Sequence, residues 1–277
     1  MFDKEAIKEI ANSQAITAAQ DGIATRGIGE LVALPDNFKV HDLERFSIGR
    51  RRARGLMATS YLNDFAAYTD KYSEDEITNI FVDAAKMSAT AVLNLGTADV
   101  PKHADNLVIL TLNKTAAYEA LIFSVGTPMQ QDHAAEFLED WATYITCVNK
   151  DGEIETKHAI AAIRRITIES SAKMESAVNH LSATKSAFES IAASSQDPIP
   201  ETIEFRCEPY LGLQERTFEM RVGVLTGQPK PVIIFRLIQK EQAEEDMAIE
   251  FAGRVKGKFD SLPGQSLVMV GAYKAGA

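Results

Sequence analysis

Apolar and small residues recur at helical spacing over residues 3–20, and this pattern predicts an N-terminal helix with acidic residues in its first turn. Gly22, Gly27 and Gly29 then interrupt the pattern. The stretch from Glu30 to Gly55 has no sustained periodicity, which predicts an extended, loop-like arm.

The centre of the chain alternates between helical spacing and short apolar runs bounded by turn residues. The short runs predict strands over residues 78–83, 90–96 and 106–113. Helical spacing predicts a short helix around Tyr61–Tyr68, a helix from Lys114 to the residue before Gly126, and a helix from Thr127 through Val148.

No glycine or proline occurs between Glu153 and Asp197, which permits a long helical section. The β-branched alternation of residues 165–169, RITIE, favours a strand instead. Residues 156–193 are therefore either one helix or a strand followed by a helix. The apolar face over 173–193 is narrow, which favours packing against a neighbouring element or subunit.

Pro198 and Pro200 mark the predicted start of a strand-rich C-terminal region. The runs TIEFRCE, RTFEMRVGVL and PVIIFRLIQ predict three strands, the last two joined by a turn at GQPK. Apolar and charged residues alternate in two of them, as expected of a sheet with one solvated face. A helix from Glu241 to Lys258 and a last strand, SLVMVGAYK, complete the predicted antiparallel unit.

These elements predict an α+β fold in three parts. Residues 1–55 form an N-terminal helix and an extended basic arm, and residues 56–197 form a mixed strand and helical region. Residues 198–277 form an antiparallel α+β region that is either separate from 56–197 or continuous with it.

Composition and cysteine content favour one cellular compartment over others. Of 277 residues, 45% are hydrophobic and 25% charged, which is typical of a globular protein, and the net charge of −10 disfavours nonspecific adhesion to nucleic acid or anionic membrane. Cys147 and Cys207 lie far apart, which disfavours a disulfide framework and fits a reducing cytoplasm. No signal peptide and no run of about 20 apolar residues is found, so we expect a cytoplasmic protein without a membrane partner.

A search for chemical motifs predicts no catalytic residue, cofactor or metal. Lys114-Thr115 follows a strand but lacks the glycines of a phosphate-binding loop, so Thr115 is interpreted as a helix start. The nearest approaches to a metal site are His41-Asp42 and His103 with Asp105, each of which supplies two ligands at most. Cys147 is interpreted as a buried, inert thiol.

An arginine cluster is the strongest candidate site, because it opposes the sign of the whole chain. It consists of Arg45, Arg50, Arg51, Arg52 and Arg54, and no acidic residue interrupts it. Guanidinium groups bind phosphate bidentately, so the cluster could contact a nucleic acid or nucleotide. The alternative is a contact with an acidic surface of the same fold or of the next subunit. No aromatic residue is interleaved with the arginines, which disfavours single-strand recognition by stacking.

Several segments together resemble the YfdQ-like family of uncharacterised phage and prophage proteins. They span roughly residues 30–275 and include VALPDNFKVHDLE, RRRARG, FAAY, VLNLG with HADN, LTLNKTAAYEAL, FLEDW and EPYLGLQERTFEMRVGVLTG. The resemblance implies a gene carried by tailed phages or prophages and expressed in the bacterial cytoplasm. It implies no activity and no site residues.

Three functions follow as hypotheses. The first is a non-enzymatic, self-associating phage protein that forms a homo-oligomeric ring or shell, with the basic arm lying on an acidic neighbour. The alternative is a protein of the early phage region that binds nucleic acid or nucleotide through the arginine cluster, in replication, recombination or anti-defence. The third is a hydrolase with an unfamiliar site at His41 and Asp42 or at His103 and Asp105.

Overall fold

The computed structural model describes residues 3–26, 44–166, 199–225 and 231–274, with residues 19–26 and Arg45 described by their backbone alone. The chain divides into two compact units, Met1–Ala53 and Arg54–Ala277. Several expectations fall outside the described residues. They are the arm over residues 30–43, strand residues 167–169, the helix over 173–193 and the turn GQPK at 227–230.

The first unit contains the predicted N-terminal helix, α1, over Lys4–Arg26. It is longer than the sequence indicated, because it continues through Gly22. The other described element of this unit is a 3₁₀ turn at Glu44–Phe46.

Two β-sheets and five helices form the described part of the second unit, which confirms the α+β class. The strands are β1 (Gly55–Thr59), β2 (Ile77–Asp83), β3 (Ser88–Val92), β4 (Asn106–Thr111), β5 (Met129–Gln130), β6 (Ile145–Asn149), β7 (Gly152–Ile154), β8 (Thr202–Cys207), β9 (Arg216–Leu225), β10 (Val232–Leu237) and β11 (Gln265–Val270). The helices are α2 (Leu62–Tyr72), α3 (Ala116–Ser124), α4 (Gln131–Asp140), α5 (Thr156–Arg164) and α6 (Lys240–Asp260).

The first sheet has the strand order β1-β4-β3-β2-β11. Its three central strands are antiparallel, and the outer strands β1 and β11 pair in parallel with β4 and β2. Alternate residues of β2 are buried, including Ile80 and Val82, because α2 and α6 cover that face. Phe65 of α2 meets Phe259 of α6 edge to face, with ring centroids 5.7 Å apart.

The second sheet has the order β5-β10-β9-β8-β6-β7, and all its pairs are antiparallel. Its buried residues alternate with exposed ones along β8 and β9, as the sequence predicted. Helix α4 packs on it through Phe137, whose ring lies 6.1 Å from Phe205 and 5.7 Å from Phe235. Apart from Val92, the buried hydrophobic residues of both sheets belong to one continuous core.

The last strand does not complete the local antiparallel unit. Instead β11 pairs in parallel with β2 at the edge of the first sheet. The physical reason is α6, whose 21 residues span about 30 Å and carry the chain from one sheet to the other. A parallel pair requires a long crossover of this kind, whereas a hairpin turn would produce an antiparallel pair.

One helix prediction is corrected, and one of two open alternatives is excluded. The helix expected to run through Val148 ends at Asp140, and Ile145–Asn149 is strand β6, in which Ile145 and Cys147 face the core. The helix that begins at Thr156 ends at Arg164, so residues 156–193 are not one helix.

No helix within the described ranges combines the length and apolar character needed to cross a membrane.

Candidate functional site

The arginine cluster is divided between the two units. Its members in the first unit are Arg45, Arg50, Arg51 and Arg52, and Arg54 is the first residue of the second. Arg50, Arg51 and Arg54 are exposed, and Arg52 is half-buried. The backbone N–H of Arg51 donates to Oε1 of Glu44 at 3.1 Å, so one carboxylate folds back onto the basic run. The run is thus held as a loop that starts at the 3₁₀ turn.

Two exposed apolar side chains lie between Arg45 and the run Arg50–Arg52. Phe46 is 71% exposed and Ile48 is fully exposed. The prediction that no aromatic residue is interleaved with the arginines is wrong, because Phe46 lies between Arg45 and Arg50. An aromatic ring beside guanidinium groups can stack on a base or fill an apolar pocket of another protein. Phe46 therefore changes the chemistry of this segment from purely basic to basic and apolar.

A buried polar network anchors the loop between β3 and β4. Asn94 is buried, its Nδ2 donates to Oδ1 of Asp105 at 3.0 Å, and its Oδ1 accepts the N–H of Asn106 at 2.9 Å. The carbonyl of Asn94 accepts the N–H of Ala104 at 3.0 Å. Asp105 also accepts the N–H of Gly55 through its backbone carbonyl at 2.9 Å. The network therefore ties the loop to the start of β1.

A second carboxylate holds the same loop from the end of α2. Asp75 lies 2.7 Å from Nζ of Lys102 and accepts the N–H of Gly96 at 2.9 Å. Burial raises the pKa of Asp75, but the hydrogen bonds from Lys102 and Gly96 outweigh it and hold this pKa below its ordinary value. Gly96 has a φ of +76°, and a Cβ there would lie 2.3 Å from the carbonyl oxygen of Val100. Only glycine fits this turn.

The segments VLNLG and HADN, which carried part of the family resemblance, therefore have a structural role. The carboxylate of Asp105 is engaged by Asn94, while His103 is exposed. His41 and Asp42 lie outside the described residues. Among the residues that are described, no three His, Cys, Asp or Glu side chains are grouped so that they could hold a metal ion.

Replacing Asn94 with alanine should lower the free energy of unfolding by about 2 kcal/mol, because the hydrogen bonds of its side chain to the buried N–H of Asn106 and to the carboxylate of Asp105 are lost. The exposed Asn113 provides a matched control, and its replacement by alanine should change stability by less than about 0.5 kcal/mol. Urea unfolding followed by circular dichroism measures both. Equal effects of the two substitutions would contradict the structural role of the network.

The remaining reactive residues serve packing or helix capping. Cys147 and Cys207 are buried, and burial raises the pKa of each thiol to about 12, so both are protonated at neutral pH. Thr115 caps α3, because its Oγ1 accepts the N–H of Tyr118 at 3.3 Å. The interpretation of Thr115 as a helix start is confirmed.

The outer face of the first sheet, opposite α2 and α6, carries apolar side chains. The strand register aligns Leu56, Leu107 and Val92 in one row, which Asn79 and Leu267 complete. Val92 at the centre of the row is fully buried, whereas Leu56 in β1 is 62% exposed and Leu267 in β11 is 48% exposed. The exposed apolar surface is therefore concentrated on the two outer strands.

The two outer strands differ in charge. Arg54 directly precedes β1, whereas no charged residue occurs between Ser261 and Tyr273 around β11. Charged residues on or beside an edge strand are a common protection against pairing with another chain. Of the two edges of the first sheet, β11 is the one that lacks this protection.

The sequence matches one known protein family. The model of a family described as an uncharacterised conserved protein family, DUF2303, matches residues 3–265. The chain belongs to this family. Neither the curated proteins nor the solved structures include a match to this DUF2303 chain.

The DUF2303 match and the resemblance read from the sequence cover different lengths of the chain. The family resemblance read from the sequence began near residue 30, but the match begins at residue 3 and includes α1. It also covers the arginine cluster and the loop network around Asn94. It ends at Gln265, the first residue of β11.

Proposed function

We propose that this protein is a non-enzymatic, self-associating protein that assembles into a closed homo-oligomer in the cytoplasm of a bacterial host. The observation that carries the proposal is the exposed, uncharged edge strand β11 with its apolar side chains. Leu267 and Val270 are 48% and 77% exposed. Exposed apolar side chains on an unprotected edge favour contact with another protein surface.

The state of the chemically reactive residues supports a structural function. Both thiols are buried and protonated, and the carboxylates of Asp75 and Asp105 hold the loop between β3 and β4. These side chains contribute to the stability of the fold in their present contacts. The phage or prophage origin of the proposal rests on the resemblance of the sequence segments to the YfdQ-like family.

We assign the arginine cluster to an intersubunit contact. Eight acidic and eight basic residues occur in Met1–Ala53, so the whole net charge of −10 falls on Arg54–Ala277. A basic loop with exposed Phe46 and Ile48 is complementary to an acidic neighbour that also offers apolar side chains. Arg50, Arg51 and Arg52 are the charges that would face it.

The triple replacement of Arg50, Arg51 and Arg52 with alanine should weaken the oligomer roughly tenfold, which corresponds to about 1.4 kcal/mol from three partly exposed ion pairs. Light scattering after size exclusion, across a dilution series at two salt concentrations, measures the change. The control replaces three exposed lysines, Lys71, Lys114 and Lys256, with alanine and alters the net charge equally. Equal weakening in both variants would mean that net charge, not the arginine contact, is responsible.

A second candidate function is binding of single-stranded nucleic acid, and exposed Phe46 is the observation that favours it. A stacking ring before a basic run supplies both halves of single-strand recognition. The same triple variant distinguishes the candidates. If the oligomer stays intact while binding of a fluorescent single-stranded oligonucleotide and its steep salt dependence are lost, the second candidate is correct.

A further inference from the structure

We infer that two copies of this chain join by antiparallel pairing of their β11 strands, so that the two five-stranded sheets become one continuous sheet across a two-fold axis. The inference rests on the proposed self-association and names its surface. Its occupant is a second copy of the same chain. A strand identical in sequence supplies every donor and acceptor that the open edge needs.

The backbone of β11 determines which residues can make such a pair. The N–H of Gly271 donates to the carbonyl of Val82 at 2.8 Å, and Val270 is the register partner of Val82. Hydrogen-bonding groups alternate in direction along a strand, so residues two apart from Gly271 also face β2. The N–H and C=O groups of Ser266, Val268 and Val270 therefore point away from the sheet. Three of the six residues of β11 can therefore form backbone hydrogen bonds with a second strand.

Charge favours this edge over other surfaces. A two-fold contact brings each patch against its own copy, so a charged patch meets its own sign. The net charge of −10 belongs to Arg54–Ala277, and copies of this unit repel each other over much of their surface. The thirteen residues from Ser261 to Tyr273 contain no charge. A two-fold contact along this run therefore brings no charge of the strand against its own copy.

The outward-pointing N–H and C=O groups determine the register in which two β11 strands can pair. An antiparallel pair that uses Ser266, Val268 and Val270 in both copies is centred on Val268, which faces Val268 of the second copy. Leu267 then lies opposite Met269 of the second copy on the outer face. Both side chains are apolar, and Leu267 is 48% exposed in the single chain. Pairing therefore buries apolar side chains as well as satisfying backbone groups.

Replacing Val268 with proline tests the edge directly. Proline removes an outward N–H and costs no hydrogen bond to β2, so the dissociation constant of the dimer should rise at least tenfold. Ala58→Pro is the matched control on the opposite edge. Gly55 donates its N–H to the carbonyl of Asp105, the residue before β4, so Ala58, three residues further on, directs its N–H outward. The control should change the dissociation constant less than twofold. Equal weakening by both prolines would overturn the inference.

Cross-linking tests the register without a proline. Leu267→Cys and Met269→Cys are placed in separate, differently tagged copies, which are co-expressed and exposed to oxidised glutathione. Opposed residues of a non-hydrogen-bonded pair are close enough for a disulfide. The mixed pair should cross-link at least fivefold more than either variant with itself. Buried Cys147 and Cys207, whose thiols are protonated, do not compete.

The outcomes separate this inference from the proposed function. An oligomer that persists in Val268→Pro and gives no mixed cross-link overturns the pairing of β11 while self-association stands. A monomer at micromolar concentration in the unmodified protein overturns both. Selective loss of the dimer in Val268→Pro, together with the mixed cross-link, supports both.

Discussion

Replacing Phe205 with alanine should lower the free energy of unfolding by about 4 kcal/mol, because a large side chain is removed from the centre of the core. Phe205 is fully buried in β8. Its ring meets three aromatic residues, with centroids 5.8 Å from Tyr144, 6.1 Å from Phe137 and 6.2 Å from Trp141. The substitution leaves a cavity between the second sheet and α4, since these rings are anchored on different elements.

The matched control for Phe205→Ala is Phe123→Ala on α3. Phe123 is 81% exposed, so its loss should change stability by less than about 0.5 kcal/mol. Urea unfolding monitored by tryptophan fluorescence is suited to the pair, since Trp141 reports on this part of the core. Comparable losses in the two variants would contradict the placement of Phe205 in the core.

Replacing Glu250 with alanine should lower the free energy of unfolding by about 2–3 kcal/mol at neutral pH. The Glu250 carboxylate accepts from Arg216 at 2.6 Å, from the N–H of Gln214 at 2.7 Å and from Nε of Arg254 at 2.8 Å. Nε of Arg216 is buried and has no hydrogen-bond partner among the described residues. Without Glu250, this guanidinium retains the backbone carbonyl of Asp246 as its described acceptor.

The same carboxylate predicts a pH dependence. Burial raises the pKa of Glu250, but the hydrogen bonds from Arg216, Gln214 and Arg254 outweigh it, so the pKa in the folded state is below its ordinary value. The unfolded chain therefore binds the proton more readily than the folded chain. The stabilisation is complete above the ordinary glutamate pKa of about 4.3 and is lost as pH falls through the lower folded value.

Stability profiles from pH 7 to pH 2 test this behaviour. The difference between the unmodified protein and Glu250→Ala should shrink below about pH 4. Glu219→Ala is the control, because Glu219 is exposed and lies directly opposite Glu204 in the sheet. Removing one of two opposed like charges should leave stability unchanged or slightly higher. A constant difference for Glu250→Ala across the range would contradict the predicted pKa.

The local sequence pattern predicted most strands and helices of this fold, but it did not predict which strands pair with each other. Alternation identified β8 and β9, because one face of each strand is buried and the other solvated. The last strand was recognised as a strand but assigned to the wrong sheet, since alternation does not say that its partner is β2. Residues 137–148 fit helical spacing throughout, although the chain passes there from α4 into β6.

The candidate site was predictable only in part. The arginine cluster was visible because charge is a property of residue type, and three of its members, Arg50, Arg51 and Arg54, are exposed in the structure. The partners of Asn94 and Asp75 come from other elements and cannot be read from spacing. The open edge was also hidden, because an edge is defined by strand order. Its one visible signal was the uncharged run from Ser261 to Tyr273.

The contact proposed for the arginine cluster and the contact proposed for β11 have different symmetry. A two-fold pair at β11 joins two copies, whereas a basic loop on an acidic neighbour is a contact between unlike surfaces and can close a ring. Together they describe a ring built from dimers. Salt should weaken the arginine contact and leave the β11 contact largely intact.

The most direct test of self-association is the mass of the intact protein in solution at micromolar concentration, measured by light scattering after nuclease treatment. Self-association predicts a species of at least twice the 30.3 kDa of one chain, unchanged by the nuclease. A single species of 30.3 kDa would contradict it.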